Sequence, residues 1–193
     1  MISQETKQLP KRWKEESFAK CFKSIPPTNK IQKSKYLERG NLPVIDQGKE
    51  LIAGYIEDNK KKQITNLPVI IFGDHTRRFK FVNFDFVAGA DGIKILEIEN
   101  NLDPRFAYYQ CLILEFPDKG YSRHFQYVKK SNIVFPSLSI QEEIVSAIET
   151  QFSRLDEVVE NLRSVKRKLG VYRKAVLKKG FEGGEGFLIK SWR

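Results

Sequence analysis

The sequence predicts an α/β fold of the α+β kind: a mixed globular domain over residues 1–139, one long coiled-coil helix over 140–180, and a short tail over 181–193. Three observations predict it. Between Ile140 and Lys179 apolar residues recur at alternating steps of three and four, the heptad signature of a helix with an apolar seam. Upstream of that run, short apolar and aromatic stretches are punctuated by Gly, Pro, Asn and Asp, as strands separated by turns would be. The aromatic fraction of 12%, mostly Phe, supplies material for a packed core.

Within the globular part, Trp13 to Phe22 carries mixed helical periodicity that the Pro26-Pro27 pair ends. Lys30, Lys33, Lys35 and Arg39 form a basic exposed stretch. Asn41 to Ile45 and Leu51 to Ile56 are expected as short strands about a turn at Gln47-Gly48, and Asp58 to Lys62 as a polar loop. Leu67 to Phe72 is a near-continuous apolar run and is expected as a central strand. Gly73-Asp-His-Thr76 breaks it, Phe79 to Val87 resumes as a strand, and Ala88–Gly92 turns into the alternating strand Ile93 to Ile98. Asp103-Pro104 marks a helix start, with the helix running to about Glu115 and Pro117 stopping it. Phe125 to Val134 is expected to close the sheet. Ser139 and Glu142 have the spacing of a capping box for the long helix.

The long helix has two apolar columns. One holds Ile148, Leu155, Leu162, Leu169 and Val176; the other holds Ile144, Val158, Val165 and Tyr172, interrupted by the polar Gln151. Its charges are segregated. Ile140 to Leu162 contains six acids against the single base Arg154, whereas Arg163 to Lys179 contains eight bases and no acid. Two such helices in parallel would oppose like charges, and two in antiparallel would match acidic half to basic half. The alternative is a helix packed on its own domain whose charges complement the helix dipole, an effect that fades within about one turn. Dimerisation through Ile144, Ile148, Leu155, Val158, Leu162, Val165, Leu169 and Tyr172 is the expectation.

The net charge of +10 and a pI near 9.5 point to nucleic acid, an anionic membrane or an acidic protein as partner. No apolar run is long enough to span a bilayer and the N-terminus has no signal-peptide core, so a cytoplasmic protein without membrane association is expected. Cys21 and Cys111 are far apart in the chain and form no CxxC, and His75 and His124 have no neighbours at metal spacing. No glycine-rich dinucleotide fingerprint, P-loop or nucleophile elbow is present, so no cofactor and no catalytic residues are expected. Pro117-Asp118 lacks a following acid-x-Lys for a nuclease constellation.

The remaining candidates are binding residues. Lys60, Lys61 and Lys62 form either a solvated loop or a phosphate contact. His75, Thr76, Arg77, Arg78 and Lys80 crowd donors into one turn, which makes either a base-reading loop or a hairpin turn with exposed bases. Arg123, His124 and Gln126 lie in a second donor-rich loop after Tyr121-Ser122, able to read bases or to cap a helix end, and Lys94 is a further candidate. Phe79, Phe81, Phe84 and Phe86 are expected in the core rather than as a base-stacking platform.

The order of several short segments then resembles a known family. Leu9-Pro-x-x-Trp13 precedes Asn41-Leu-Pro-Val-Ile-Asp-Gln-Gly48 and Ile52-Ala-Gly-Tyr-Ile56. Ile71-Phe-Gly-Asp-His-Thr-Arg77, Gly89-Ala-Asp-Gly92 and Phe135-Pro-Ser-Leu-Ser-Ile-Gln141 follow. Over about residues 9–182 the chain resembles the specificity (S) subunit of type I restriction-modification systems. The resemblance implies a target recognition domain on a spacer helix that reads double-stranded DNA without catalysing a reaction. It also implies modification subunits that methylate adenine and restriction subunits that translocate and cleave. A usual member carries two such domains and two antiparallel helices, whereas this sequence carries one of each and is similar to half a subunit, for which a homodimer is expected. The readings from other classes are a nuclease or modification-enzyme fragment and a coiled-coil adaptor.

Overall fold

A computed structural model of the protein describes residues 10, 12–90, 92–120 and 122–182; Leu9, Asp91, Tyr121 and the tail from residue 183 lie outside the described residues. The architecture is mixed α/β, ending in a long helix. The chain divides into two compact units, Met1–Val145 and Ser146–Arg193.

The centre of the first unit is a four-stranded antiparallel sheet in the order β2 (Phe22–Ile25), β9 (Ile93–Ile98), β6 (Val69–Gly73), β7 (Phe79–Val82). The apolar run around β6 is a central strand for a plain geometric reason. Strand side chains alternate between faces, and both faces of this sheet are covered. Ile70 and Phe72 join one core with Phe18, Phe22, Leu96, Phe106, Phe125, Ile133 and Phe135. Val69 and Ile71 join a second with Ile45, Val82, Phe86, Ile93 and Ile95. A second four-stranded sheet, β3 (Lys30–Ile31), β8 (Val87–Gly89), β4 (Leu42–Ile45), β5 (Gly54–Ile56), pairs β8 in parallel with both β3 and β4. Val44, Leu42, Ile56, Ile31 and Val87 form its own small core.

Several expected elements differ. Trp13 to Phe22 is not one helix: β1 (Lys14–Ser17) leads into a single helical turn, α1 (Phe18–Cys21), and β2 follows at once. Phe18 and Cys21 are the buried pair of that turn, and the chain then extends so that Phe22 can pair with Ile98. Phe79 to Val87 is divided into β7 and β8, which belong to different sheets, so the break at Asn83–Phe86 moves the chain from one sheet to the other. Phe125 to Val134 does not close the main sheet. Phe125 and Val128, three apart and both buried, form the helical turn α3 (Phe125–Val128), and among the described residues β10 (Asn132–Phe135) pairs with β1 alone.

Helix α2 (Pro104–Leu112) starts as its sequence requires: the Asp103 carboxylate accepts a hydrogen bond from the Phe106 amide at 2.8 Å, with Pro104 at the first helical position. It ends at Leu112, three residues before Glu115, with Phe106, Ala107 and Cys111 as its buried face, and Leu114 and Phe116 beyond it pack on the same core as irregular chain. Helix α4 (Leu138–Phe181) is 44 residues long, about 66 Å at 1.5 Å per residue. It begins one residue before Ser139, with the Ser137 carbonyl accepting from the Ile140 and Gln141 amides, so Ser139 lies inside the first turn rather than at the cap.

Candidate nucleic-acid interface

Three glycine-bearing segments far apart in sequence meet at the end of β6. The turn from Gly73 to Arg78 is closed by the Gly73 amide on the Arg78 carbonyl and the Arg77 amide on the Gly73 carbonyl, both at 2.8 Å. Arg77 takes a left-handed φ of 59° to complete it. Gln47 holds this turn from the side: its carbonyl accepts the Thr76 hydroxyl at 2.6 Å and its side-chain oxygen accepts the His75 amide at 3.2 Å. A Cβ at Gly73 would collide with the Thr76 hydroxyl and stand 2.9 Å from the Gln47 Cβ, so a larger residue there would force Thr76 or Gln47 out of place. Gly92, at φ +76°, lies against the same Gln47 amide, and its carbonyl accepts the Asp74 amide at 2.6 Å.

Asp74 anchors the next loop. It is buried, at 3% exposure. Its carboxylate accepts the Phe125 amide at 2.8 Å, and its carbonyl accepts the His124 amide and faces the His124 Nδ1 at 3.0 Å each. His75 Nδ1 contacts the Ser122 carbonyl at 3.1 Å. The 74–78 turn and the segments 118–120 and 122–126 are thus one hydrogen-bonded assembly.

Two clefts flank that assembly. The first, about 720 Å³, is lined by Pro26, Pro27, Asp74, His75 and the bases Lys30, Lys94 and Arg123, among others. The second, about 630 Å³, has Lys49, Thr76, Arg77, Arg78, Phe116 and Asp118 along its wall, with His75 shared between the two. In each cleft the bases outnumber the single acid, which makes both concavities electropositive. Among the described residues no group of three or more His, Cys, Asp or Glu is placed to hold a metal ion.

The structure divides the expected contact residues. Arg78, Arg123, Gln126 and Thr76 are exposed, and Lys94 is half-buried on the first cleft, with its ammonium 3.9 Å from Asp74 and 5.7 Å from the Phe125 ring. Lys60, Lys61 and Lys62 are exposed, the first two on a short 3-10 turn (Asn59–Lys61) and the third at its C-cap. Lys61 stands 3.9 Å from Asp58 and Lys62 3.1 Å from Asp85, surface pairs too weak to withhold either lysine from a phosphate. Arg77 is committed internally: its guanidinium pairs with Asp118 at 2.7 Å, donates to the Phe116 carbonyl at 3.2 Å and stacks 5.0 Å over the Phe116 ring. Asp118 titrates below the usual carboxylate range, first because the Gly120 amide donates to it and second because of Arg77.

Two expected contacts are corrected. Lys80 is 6% exposed, and its ammonium donates to the Asp46 and Glu50 carbonyls at 2.6 and 2.5 Å. Burial lowers its pKa against the opposing pull of Asp46. Lys80 therefore pins β7 to the 46–50 turn instead of facing solvent. His124 is fully buried, receiving the Lys119 amide on Nε2 at 3.3 Å, and it organises its loop from within. Sequence reasoning passed over Lys49 and left Lys30 unassigned, although both line the clefts. The signal for Lys49 is its place directly after Asp46-Gln47-Gly48, the segment that holds the Gly73 turn.

Helix α4 presents different chemistry. Leu155, Val158, Leu162, Val165, Leu169 and Tyr172 are each 50–66% exposed, and Ile148 is half-buried. Ile144, expected with them, instead packs with Val145 against the first core of the globular unit. No helix among the described residues is long and apolar enough to cross a membrane.

Comparison with known proteins gives a consistent result. Residues 10–165 match the type I restriction modification DNA specificity domain. The chain is 32% identical over 173 residues to the specificity subunit of the type I restriction enzymes EcoR124I and EcoR124II of Escherichia coli, covering 82% of this chain and 42% of that one. Among solved structures it resembles a chain of a type I R-M system (TM-score 0.69, 17% identity, 93% of this chain and 48% of that one). It also resembles the HsdS subunit from Thermoanaerobacter tengcongensis (TM-score 0.60, 16% identity, 93% and 47%) and the S subunit from M. genitalium (TM-score 0.58, 20% identity, 91% and 47%). The chain spans about half the length of the relatives it matches.

Proposed function

The chain belongs to the type I restriction modification DNA specificity family, and from that premise we propose that it recognises one half of an interrupted DNA site as a non-catalytic reader. In this reading the globular unit grips the duplex and α4 pairs antiparallel with a like helix carrying a second reader. The pair positions modification subunits, with a restriction subunit joining them. The observation that carries the proposal is the electropositive rim built around the Gly73–Arg78 turn. Arg78, Arg123, Lys94, Lys30 and Lys49 line two clefts whose walls are fixed by Gln47 and Asp74.

Phosphate contacts from Lys60, Lys61 and Lys62 would supply affinity without sequence information, and Arg78, Thr76, Arg123 and Gln126 are the exposed donors suited to base edges. On α4, an exposed apolar seam with acids at one end and bases at the other favours an antiparallel twin. Two readers about a two-fold axis select a symmetric interrupted site.

The test is selection from random duplex DNA with the purified chain and a modification subunit of its system, with the mass of the chain measured in solution. The expected outcome is a dimer that enriches a two-part site and loses affinity steeply with salt. Binding with no sequence preference would favour a coiled-coil adaptor, and DNA cleavage by the chain alone that vanishes in Asp118→Ala would favour a nuclease. Inserting one heptad into α4 should lengthen the preferred gap by about 10 Å, near three base pairs at 3.4 Å each.

A further inference from the structure

Gln141 stands one heptad before Ile148, where the column calls for an apolar side chain. It is fully buried, while Ser139, Ile140, Glu142 and Glu143 around it are exposed. Its side-chain oxygen accepts the Asp103 amide at 2.8 Å, and its amide nitrogen donates to the Asn101 and Pro136 carbonyls at 3.1 and 2.9 Å. One carboxamide thus ties the first turn of α4 to three segments: the end of the loop after β9, the N-cap of α2 and the exit of β10. Asp103 is at the same time the α2 cap, through Phe106.

We infer that Gln141 is the positioning residue that sets how α4 leaves the globular unit, and so a determinant of the distance between the two half-sites. Apolar contacts such as those of Ile144 and Val145 are non-directional and tolerate several seatings of a helix end. A buried amide does not, because a seating that breaks any of its bonds leaves a polar group unsatisfied at a cost of about 1–3 kcal/mol. A slip of one residue turns an α-helix by about 100°, which would carry every seam residue downstream to a different face. A single polar side chain in an apolar column is a known way to specify one register over its neighbours.

The DNA readout of this inference rests on the proposed function, so the experiment has a second readout that does not. Gln141→Met fills the same volume without the amide. Spin labels at Lys23→Cys, which is exposed on β2, and at Lys166→Cys, exposed on α4, report the distance between unit and helix in a labelled chain diluted with unlabelled copies. The distance distribution should be broader in Gln141→Met than in the native sequence. In site selection Gln141→Met should keep each half-site sequence but lose about tenfold in discrimination against a gap one base pair longer, the scale of one mismatched pair. Should Gln141→Met fail to fold, Gln141→Asn keeps the amide one methylene short and is read the same way. Equal distance widths and equal gap preference in the native and substituted chains overturn the inference. Absence of any site-specific binding by the native chain overturns the proposed function instead, and the label distances still decide the role of Gln141.

Discussion

Strand β6 and the outer part of α4 are both written in apolar residues, and they end in opposite environments. All five residues of β6 are buried, with Ile70 and Phe72 in one core and Val69 and Ile71 in the other. The seam of α4 from Leu155 to Tyr172 is at least half exposed at every column residue named above. Periodicity therefore identifies the type of an element and its apolar face, but not whether the partner for that face belongs to the same unit. For β6 the partners are the rest of the globular unit. For α4 the proposed function places the partner on another helix.

The largest expected effects test that division directly. Phe72→Ala should lower the unfolding free energy by about 3–5 kcal/mol, measured by urea denaturation. Leu162→Ala should leave that value within about 0.5 kcal/mol and weaken self-association in sedimentation equilibrium by about tenfold or more, the loss of one buried Leu per helix. Equal destabilisation by both substitutions would mean that α4 finds its apolar partner inside the chain, and the comparison would fail.

A second pair sharpens the comparison within the globular unit, between groups that build the loops and groups the loops display. Asp74→Ala leaves the buried Phe125 amide without its acceptor. It should cost about 1–3 kcal/mol of stability, with faster hydrogen exchange across residues 122–128. Arg123→Ala removes an exposed side chain from the first cleft. It should leave stability within about 0.5 kcal/mol while costing about 1–3 kcal/mol of binding to the preferred site and relaxing one base position. A loss confined to affinity, uniform across sequences, would reassign Arg123 to a phosphate. Lys60→Ala should show that uniform pattern, with the salt slope reduced by about one.

These pairs also mark what the sequence discloses. The core strands and the α2 cap were legible because their signals are local: alternation for Ile93 to Ile98, Asp-Pro for α2. The motif segments Asp46-Gln-Gly48, Gly73-Asp-His-Thr76 and Gly89–Gly92 were visible as segments, but not as one assembly. What joins them is contact across dozens of residues, such as the Thr76 hydroxyl on the Gln47 carbonyl. Lys80 and Lys94 look alike in sequence, both on strands next to aromatic or apolar residues. Only the pleat decides that one turns inward onto the Asp46 and Glu50 carbonyls while the other reaches the cleft. Phe125 and Val128 satisfied an apolar run whether it was strand or turn, because a four-residue stretch is too short for its period to discriminate.

The smallest expected effect concerns the rim of the second cleft, where a committed base contrasts with the displayed ones. Asp118 is exposed, yet its carboxyl titrates below 3.8 because the Gly120 amide donates to the ionised form and Arg77 pairs with it. A carboxylate depressed in the folded chain binds fewer protons there than in the unfolded one. Its contribution to stability is therefore present above pH 3.8 and disappears as the pH falls through the folded value. Carboxyl titration followed by NMR should place Asp118 below its ordinary value in the native protein. Arg77→Met should return it only part of the way, since the Gly120 hydrogen bond is the larger cause and survives the substitution. A full return to 3.8 would show that Arg77 alone holds the carboxylate, and that the 118–120 turn is shaped by the ion pair rather than by its own backbone.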